Sequence, residues 1–335
     1  MKILVTGGAG YIGSQTTLEL VKQGFDVTVL DSYELGYHQA LERIEQMTGK
    51  TVGRVTADLR KIDEVHKAFE NRELDAIVHF AAYKNVGEAE GNPEKYFENN
   101  VLGSLNLLKT MEKNGVKRIV FSSTSAVYGN SEVLPMDESL PFAPLNAYGQ
   151  SKATVEWMLG DFYRAYDISS VALRYFNAAG ADPSGEIGED PSRTGNIIPL
   201  IMQTLIGKRE SFSLFGDNFE TADGTQERDY IHVQDLATGH VAALRKLEKS
   251  EGAFAYNLGR GESTSNKQLI ELAEEITGKK LNYEVTGPRA GDPPITVSDP
   301  SKAEKELDWK AVYDIRAIMT DHWRWVSQNS EGYDR

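Results

Sequence analysis

The run "KILVTGGAGYIGS" at residues 2–14 constrains this chain more than any other stretch. Residues 2–6 form a short, unbroken apolar run. That reads as a strand covered on both faces, because strands buried between helices lose the alternation of half-exposed ones. Gly7, Gly10 and Gly13 follow at once, and a helical pattern runs from about Ile12 to Gln23. Where a strand enters a helix through such a loop, backbone N–H groups and the helix N-terminus can receive a pyrophosphate, and glycine lets the backbone come close. A second strand at 26–31 ends on Asp31, 18 residues past Gly13. A carboxylate there can accept from both hydroxyls of an adenosine ribose and repels a 2′-phosphate, which favours NAD over NADP.

Further strands are read at 53–59 and 74–82, and 117–129 and 170–180 each read as a strand running into a loop, with helical patterns between them, among them 99–115. Strands alternating with helices predict an α/β fold with a doubly wound parallel sheet of the Rossmann type. The alternation fades after about residue 176. The chain therefore divides into a dinucleotide-binding domain at 1–176 and a smaller α/β substrate-binding lobe at 177–335, with some later segments returning to the first. A helix at 266–277 belongs to the second lobe.

The charge balance narrows the partners. With 36 basic and 50 acidic residues the net charge is −14, which disfavours nucleic acid or an anionic membrane but leaves room for a small anionic ligand held by local arginines. The chain contains no cysteine, so disulfides, thiolate metal sites and cysteine nucleophiles are excluded. Its six histidines form no HxxxH or HExxH pattern, and no metal is expected. No apolar run reaches the roughly 18 residues of a membrane span. The N-terminal run breaks into glycines too early for a signal peptide, so a soluble cytoplasmic protein is expected.

"AYGQSK" at 147–152 places Tyr148 one helical turn before Lys152. By itself the pair reads as two amphipathic side chains on a half-wet face. Its neighbourhood changes that reading. "FSSTSAVYG" at 121–129 ends a strand where the nicotinamide half of a bound dinucleotide would lie, and the helix carrying Tyr148 begins soon afterwards. A hydroxyl, a phenol and an ammonium then converge. A free tyrosine ionises near pH 10; a fixed ammonium and a cationic nicotinamide both favour the phenolate, which could then act as a general base toward a substrate alcohol.

"TGGAGYIG" together with "YGQSK" resembles the extended short-chain dehydrogenase/reductases. "HFAAYKNVGE", "LRYFNAAGA", "GEDP", "DGTQERDYIHVQDLATGH", "YNLGRG" and "GPRAGDP" resemble, in order and over nearly the whole chain, the UDP-glucose 4-epimerase family. The resemblance implies an isomerase with tightly bound NAD that oxidises the sugar at C4, lets the 4-keto sugar turn over and reduces it from the other face. Carried over position by position, it makes Tyr148 the base, Lys152 its partner and Thr124 a proton relay. Gly7, Gly10, Tyr11, Ile12, Gly13 and Asp31 match the dinucleotide loop and ribose contact. Asp58 and Leu59 match positions near the adenine. Phe80, Ala82, Lys84, Asn99 and Ser122, with Tyr148 and Lys152, match other cofactor contacts. Asn177, Asn196, Phe215, Arg228, Arg289 and Asp292 match the UDP-sugar pocket, which Thr124 and Tyr148 also reach. It further implies a homodimer built on the helix at 99–115 and the one after Tyr148.

Two departures from the family pattern stand out. The segment after Asp31 reads "DSYELGYHQA" where Asn-Leu and small polar residues are usual. Thr296 lies seven residues after Arg289, where many relatives carry a tyrosine that closes the sugar pocket; the smaller side chain leaves room for a 2-N-acetyl group, or else simply tolerates a shifted loop. Related 4,6-dehydratases carry an Asp-Glu pair after the threonine, but Ser125 and Ala126 stand here. UDP-glucuronate decarboxylases fit "DGTQERDYIHV" less well, and a non-catalytic NAD-binding sensor would not need Thr124, Tyr148 and Lys152. Taken alone, Arg228 and Arg289 read as surface ion-pair residues. His79 reads as core, His232 as packing beside the arginine segment, Tyr128 and Tyr175 as lining of the cofactor cleft, and Trp309, Trp323 and Trp325 as packing anchors.

Overall fold

The computed structural model describes residues 1–193, 195–288 and 291–334. The strands are β1 (Lys2–Thr6), β2 (Asp26–Asp31), β3 (Gly53–Thr56), β4 (Ala76–His79), β5 (Arg118–Ser122), β6 (Ser169–Tyr175), β7 (Asn177–Ala179), β8 (Phe212–Phe215), β9 (Glu227–His232), β10 (Ala253–Leu258), β11 (Ser263–Ser265), β12 (Tyr283–Thr286) and β13 (Ile295–Thr296). The helices are α1 (Tyr11–Lys22), α2 (His38–Thr48), α3 (Ile62–Phe69), α4 (Val86–Gly91), α5 (Pro93–Tyr96), α6 (Gly103–Lys113), α7 (Ala147–Tyr166), α8 (Ile197–Leu205), α9 (Val233–Lys249), α10 (Asn266–Thr277), α11 (Ser301–Leu307) and α12 (Ile315–Gln328).

Seven parallel strands form the central sheet in the order β3-β2-β1-β4-β5-β6-β10. β1 sits where the order reverses, paired to β2 on one side (Ile3 to Val27) and to β4 on the other (Ile3 to Ala76). The sheet is covered twice. Leu18 and Val21 of α1, Leu41 and Ile44 of α2, and Leu236, Leu244 and Leu247 of α9 pack on one face. Val65 and Phe69 of α3, Leu107 and Met111 of α6, and Val155 and Leu159 of α7 pack on the other. This double cover explains the continuous apolar run in β1. The segment 233–258 returns to the sheet, with β10 as its last strand and α9 against β5 and β6.

The remainder gathers around Ile198, Ile201 and Met202 of α8, Leu269 and Ile270 of α10, and Ile318 and Trp325 of α12. A small sheet, β11-β9-β13 with β7 paired to β9, carries this cluster toward the edge of the central sheet.

The structure sets where three expected elements begin and end. Within 117–129 the strand gives way to its loop after Ser122, and there the Thr124 hydroxyl accepts from the Ala126 N–H and caps a 3₁₀ turn at Ser125–Val127. Within 170–180 the expected loop instead carries a second strand after Phe176: β6 pairs with β5 and β10, β7 with β9. The helix read at 99–115 opens as a π-helical turn, Phe97–Leu102, before α6. There Asn100 is buried: it accepts from the Tyr83 N–H at 2.8 Å and donates to the Tyr83 carbonyl at 3.1 Å and to Ser151 Oγ at 3.0 Å. Trp309 and Trp325 are buried, as packing anchors should be, and His232 is buried too. Tyr128, read as lining the cofactor cleft, is instead buried, its hydroxyl bonded to Asn257 and Arg174.

His79 joins three elements. Its Nδ1 lies 2.6 Å from Thr6 Oγ1 and its Nε2 lies 2.8 Å from Ser104 Oγ, in full burial. Burial, with Lys152 nearby, pushes its pKa down to about 3. The unfolded chain binds a proton near pH 6.5 and the folded one does not, so the folded state loses stability as pH falls through that window. Between pH 6.5 and 5, wild type is expected to lose about 1–2 kcal/mol more unfolding free energy than His79→Gln, read from denaturant titrations at the two pH values.

Candidate active site

All seven strands of the central sheet point their C-terminal ends to one edge, and the crevice opens there beside β1. Gly7 takes φ +71°, and a Cβ on it would lie 2.7 Å from the Ala81 nitrogen. A Cβ on Gly13 would lie 2.1 Å from the Gly7 carbonyl oxygen. The loop is thus packed too closely for any side chain at either position. α1 begins at Tyr11 with no side-chain cap and no acidic residue in its first turn. Its free N–H groups and the positive end of its dipole face the crevice, which suits an anion.

Asp31, at the end of β2, is held by the N–H groups of Ala9 (3.0 Å) and Tyr33 (2.9 Å). Burial nonetheless pushes its pKa up, with those two donors opposing. Gly36 passes so close that a Cβ on it would lie 2.9 Å from both carboxylate oxygens. A glycine cradle, an uncapped helix start and a held carboxylate on adjacent strands fit a dinucleotide.

The other positions read as cofactor contacts spread along the same edge. Asp58, after β3, is gripped by Arg60, whose Nε lies 2.9 and 3.0 Å from its two oxygens. Leu59 is buried beside it. Phe80 and Ala82 follow β4, with the Phe80 ring 4.6 Å from that of His240. Lys84 is paired to the buried Glu189 at 2.8 Å and lies 5.4 Å from the centre of the Tyr11 ring, whose hydroxyl donates to the Gly180 carbonyl. Asn99 sits on the π turn and donates to Asn100 Oδ1. Ile12 lies in the first turn of α1.

Glu34, Tyr83 and Arg60 went unread in the sequence. The Tyr83 hydroxyl donates to Glu34 Oε1, and Arg60 reaches Glu34 Oε2 at 3.3 Å. This bridge joins the loops after β2, β3 and β4. No spacing rule could reveal it, since its members lie in three separate loops.

Thr124, Tyr148 and Lys152 come together at the end of β5. α7 starts from Asn146, whose side chain accepts from the Gly149 N–H. Its face carrying Tyr148 and Lys152 is buried. Lys152 Nζ donates to the Ser122 carbonyl at 2.8 Å and lies 4.8 Å from the centre of the Phe121 ring. Burial pushes its pKa down to about 7, with Glu156 opposing. Ser122 Oγ lies 2.8 Å from the Tyr175 hydroxyl, so Tyr175 lines the same corner. Burial also pushes the Tyr148 phenol up, and the facing Thr124 hydroxyl lowers it. The sequence reading has the Lys152 ammonium and a cationic nicotinamide both favouring the phenolate. In the polypeptide burial dominates, and the ammonium is turned to a backbone carbonyl.

The residues read as a UDP-sugar pocket lie on β7, β8, β9 and α8 and in the loops around them. Asn177 of β7 donates to the Asp229 carbonyl at 3.1 Å. Asn196 is the N-cap residue of α8, and Phe215 ends β8 opposite Thr286 of β12. Arg228 of β9 pairs in register with Thr296 of β13. Its Nη1 donates to the carbonyls of Glu227 (2.9 Å) and Pro294 (3.3 Å). Burial pushes its pKa down, with Tyr230 and Asp292 opposing. Among the described residues no carboxylate is paired to it, so it is not the surface ion-pair residue it would be in isolation. Arg289 lies outside the described residues. Among the described residues no group of three His, Cys, Asp or Glu is placed to hold a metal, and no helix is long and apolar enough to cross a membrane.

Fold and site together define a dinucleotide-dependent α/β enzyme, with a buried Tyr–Lys pair beside the end of β5. A model of the NAD dependent epimerase/dehydratase family matches residues 3–259. UDP-glucose 4-epimerase of Bacillus subtilis is 46% identical over 99% of both chains. The crystal structure of UDP-glucose 4-epimerase from Bifidobacterium longum, in complex with NAD⁺ and UDP, is 41% identical with a TM-score of 0.95, covering 99% of this chain and 100% of that one. The UDP-Glc/GlcNAc 4-epimerase of Campylobacter jejuni is 36% identical with a TM-score of 0.87, covering 98% and 99%. The chain belongs to the NAD-dependent epimerase/dehydratase family.

The glycine loop yields a direct test. Gly13→Ala forces a methyl group into backbone and is expected to cost more than about 2 kcal/mol. Gly91→Ala, where nothing lies within 4 Å, should stay within about 0.5 kcal/mol of wild type. Thermal denaturation of the two variants measures the contrast.

Proposed function

We propose that this chain interconverts UDP-glucose and UDP-galactose by inverting the sugar at C4. The observation that carries the reading is the meeting of Thr124, Tyr148 and Lys152 at the end of β5, below an open crevice that fits a dinucleotide. The family and the printed names of its near relatives support it. Residues 1–176 are assigned to the dinucleotide and 177–335 to the UDP-sugar, with the segment from α9 to β10 serving the first.

When bound, NAD supplies a hydride acceptor beside C4 and, while oxidised, a positive charge that favours the Tyr148 phenolate. Tyr148 takes the proton of the sugar 4-hydroxyl and later returns it. Thr124 already accepts from Ala126 N–H; its own proton is thereby left for the phenol oxygen or the sugar hydroxyl. Lys152 holds positive charge at the corner and hydrogen-bonds the ribose nearest the nicotinamide. Asp31 binds the adenosine ribose, Gly7 to Gly13 bind the pyrophosphate, and Asp58 and Leu59 flank the adenine. Phe80, Ala82, Lys84, Asn99 and Ser122 line the remaining cofactor path.

Arg228, with Arg289 and Asp292, anchors the UDP diphosphate and ribose. A guanidinium meets phosphate bidentately, and Arg228 is desolvated with no carboxylate partner among the described residues. A remote anchor is what inversion requires, because the ring must turn over without leaving. Asn177, Asn196 and Phe215 complete the pocket. Ser125 and Ala126, in the 3₁₀ turn beside Thr124, offer no acid or base for eliminating water, which disfavours a dehydratase. The reading includes a cytoplasmic homodimer formed through α6 and α7; the exposed Trp157 on α7 supports that face.

Thr296 supports a wider substrate range that takes in UDP-GlcNAc and UDP-GalNAc, since a short side chain stands in register with Arg228. Purified protein assayed without added NAD is expected to epimerise UDP-galactose. Tyr148→Phe should keep its cofactor and lose about 10²–10⁴-fold in kcat; full activity in that variant would contradict the assignment. Thr296→Tyr is expected to abolish turnover of UDP-GalNAc while retaining that of UDP-galactose. Wild type inert toward UDP-GalNAc at high concentration would remove the wider range.

A further inference from the structure

α7 presents Tyr148, Lys152 and Glu156 along one buried face, each a helical turn from the next. Three consecutive residues at the end of β5 meet them. The Ser122 carbonyl accepts from Lys152, Ser123 Oγ donates to Glu156 Oε1 at 2.5 Å, and the Thr124 hydroxyl faces Tyr148. The middle contact is anchored by an ion pair. Arg174 of β6 holds Glu156 with Nη2 at 2.7 Å and Nε at 3.0 and 3.1 Å, both side chains being under a tenth exposed. Its Nη1 donates to the Tyr128 hydroxyl at 3.0 Å, and Tyr128 donates to Asn257 of β10 at 2.7 Å. A chain of polar contacts thus runs from the last strand of the sheet to the face that carries the base.

We propose that Ser123, Glu156 and Arg174 are positioning residues, which lock the register of α7 against the end of β5 and keep a negative charge one turn from Lys152. This rests on the epimerase reading above. The two parts of the role are separable. Ser123 carries only register, since its hydroxyl bears no charge. Glu156 carries register and charge.

The charges around Lys152 are few. α7 brings Tyr148 and Glu156, and β4 brings His79, kept neutral by burial. β6 brings Tyr175, and Arg174 through its pair with Glu156. The π turn and α5 bring Tyr96, which is bound to Glu88. Of these, Glu156 is the carboxylate that acts on the ammonium, and it opposes the pull of burial toward the neutral amine. Removing its charge should therefore make Lys152 lose its proton at lower pH.

The test compares Ser123→Ala and Glu156→Gln with wild type on UDP-galactose across pH. Ser123→Ala is expected to lower kcat about 3–10-fold with KM within twofold and the alkaline limb unmoved. Glu156→Gln is expected to lower kcat further and to move the alkaline limb about 0.5–1 unit toward lower pH. Lysine ¹⁵Nζ NMR, assigned against Lys152→Met, should show the same downward shift without any turnover. It therefore tests the charge role even if wild type proves inactive on UDP-sugars, which would refute the epimerase reading alone. A lowered kcat in Glu156→Gln with an unmoved limb and unmoved ¹⁵N titration would overturn the proposal, as would wild-type kcat in folded Ser123→Ala. Should Glu156→Gln fail to fold with Arg174 left unpaired, Ser123→Ala decides.

Discussion

Parallel pairing of seven strands is the constraint on which the rest depends. It sends every C-terminal strand end to one edge, and the reversal of order at β1 keeps two neighbouring crossovers apart there. The glycine loop, Asp31, the Thr124 turn and the loops carrying Asp58 and Lys84 all occupy that edge because each follows a strand of the same sheet. No residue needs to reach far to take part. A parallel sheet must also be covered on both faces, which is why α1, α2 and α9 lie on one side and α3, α6 and α7 on the other. α7 thereby acquires a face turned to the sheet edge as well as to its core.

Burial then sets the chemistry. Tyr148, Lys152, His79 and Arg228 are all pushed toward their neutral forms by loss of water. Each is also met by a specific polar contact: Thr124, Ser122 and Glu156, Thr6 and Ser104, and a pair of backbone carbonyls. A wholly solvated Tyr–Lys pair of the same spacing would feel neither the burial nor those contacts.

Much of this was legible in residue order. β1, β2 and α10 have the boundaries their patterns indicated to within a residue, because apolar runs flanked by glycine or aspartate leave few alternatives. Gly7 and Asp31 lie at one edge of the sheet, Tyr148 faces Thr124 beyond β5, and Arg228 lies on β9. The reading fell short at 170–180, where β9 captures the residues after Phe176 as a strand, and at 99–115, where Tyr83 and Ser151 take Asn100 in a π turn. In both, a contact from elsewhere in the chain overrides what local pattern would continue.

The local sequence determined the alternation of strand and helix, the glycine cradle and the one-turn spacing of Tyr148 and Lys152, since each depends only on neighbouring residues and on backbone sterics. Tertiary structure alone decided that Glu34 meets Tyr83 and Arg60, that Lys152 turns to the Ser122 carbonyl, and that Glu156 is clamped between Ser123 and Arg174. Those contacts join residues far apart in the chain, and only the packing of α7 and the strand-end loops on the sheet brings them within hydrogen-bonding reach.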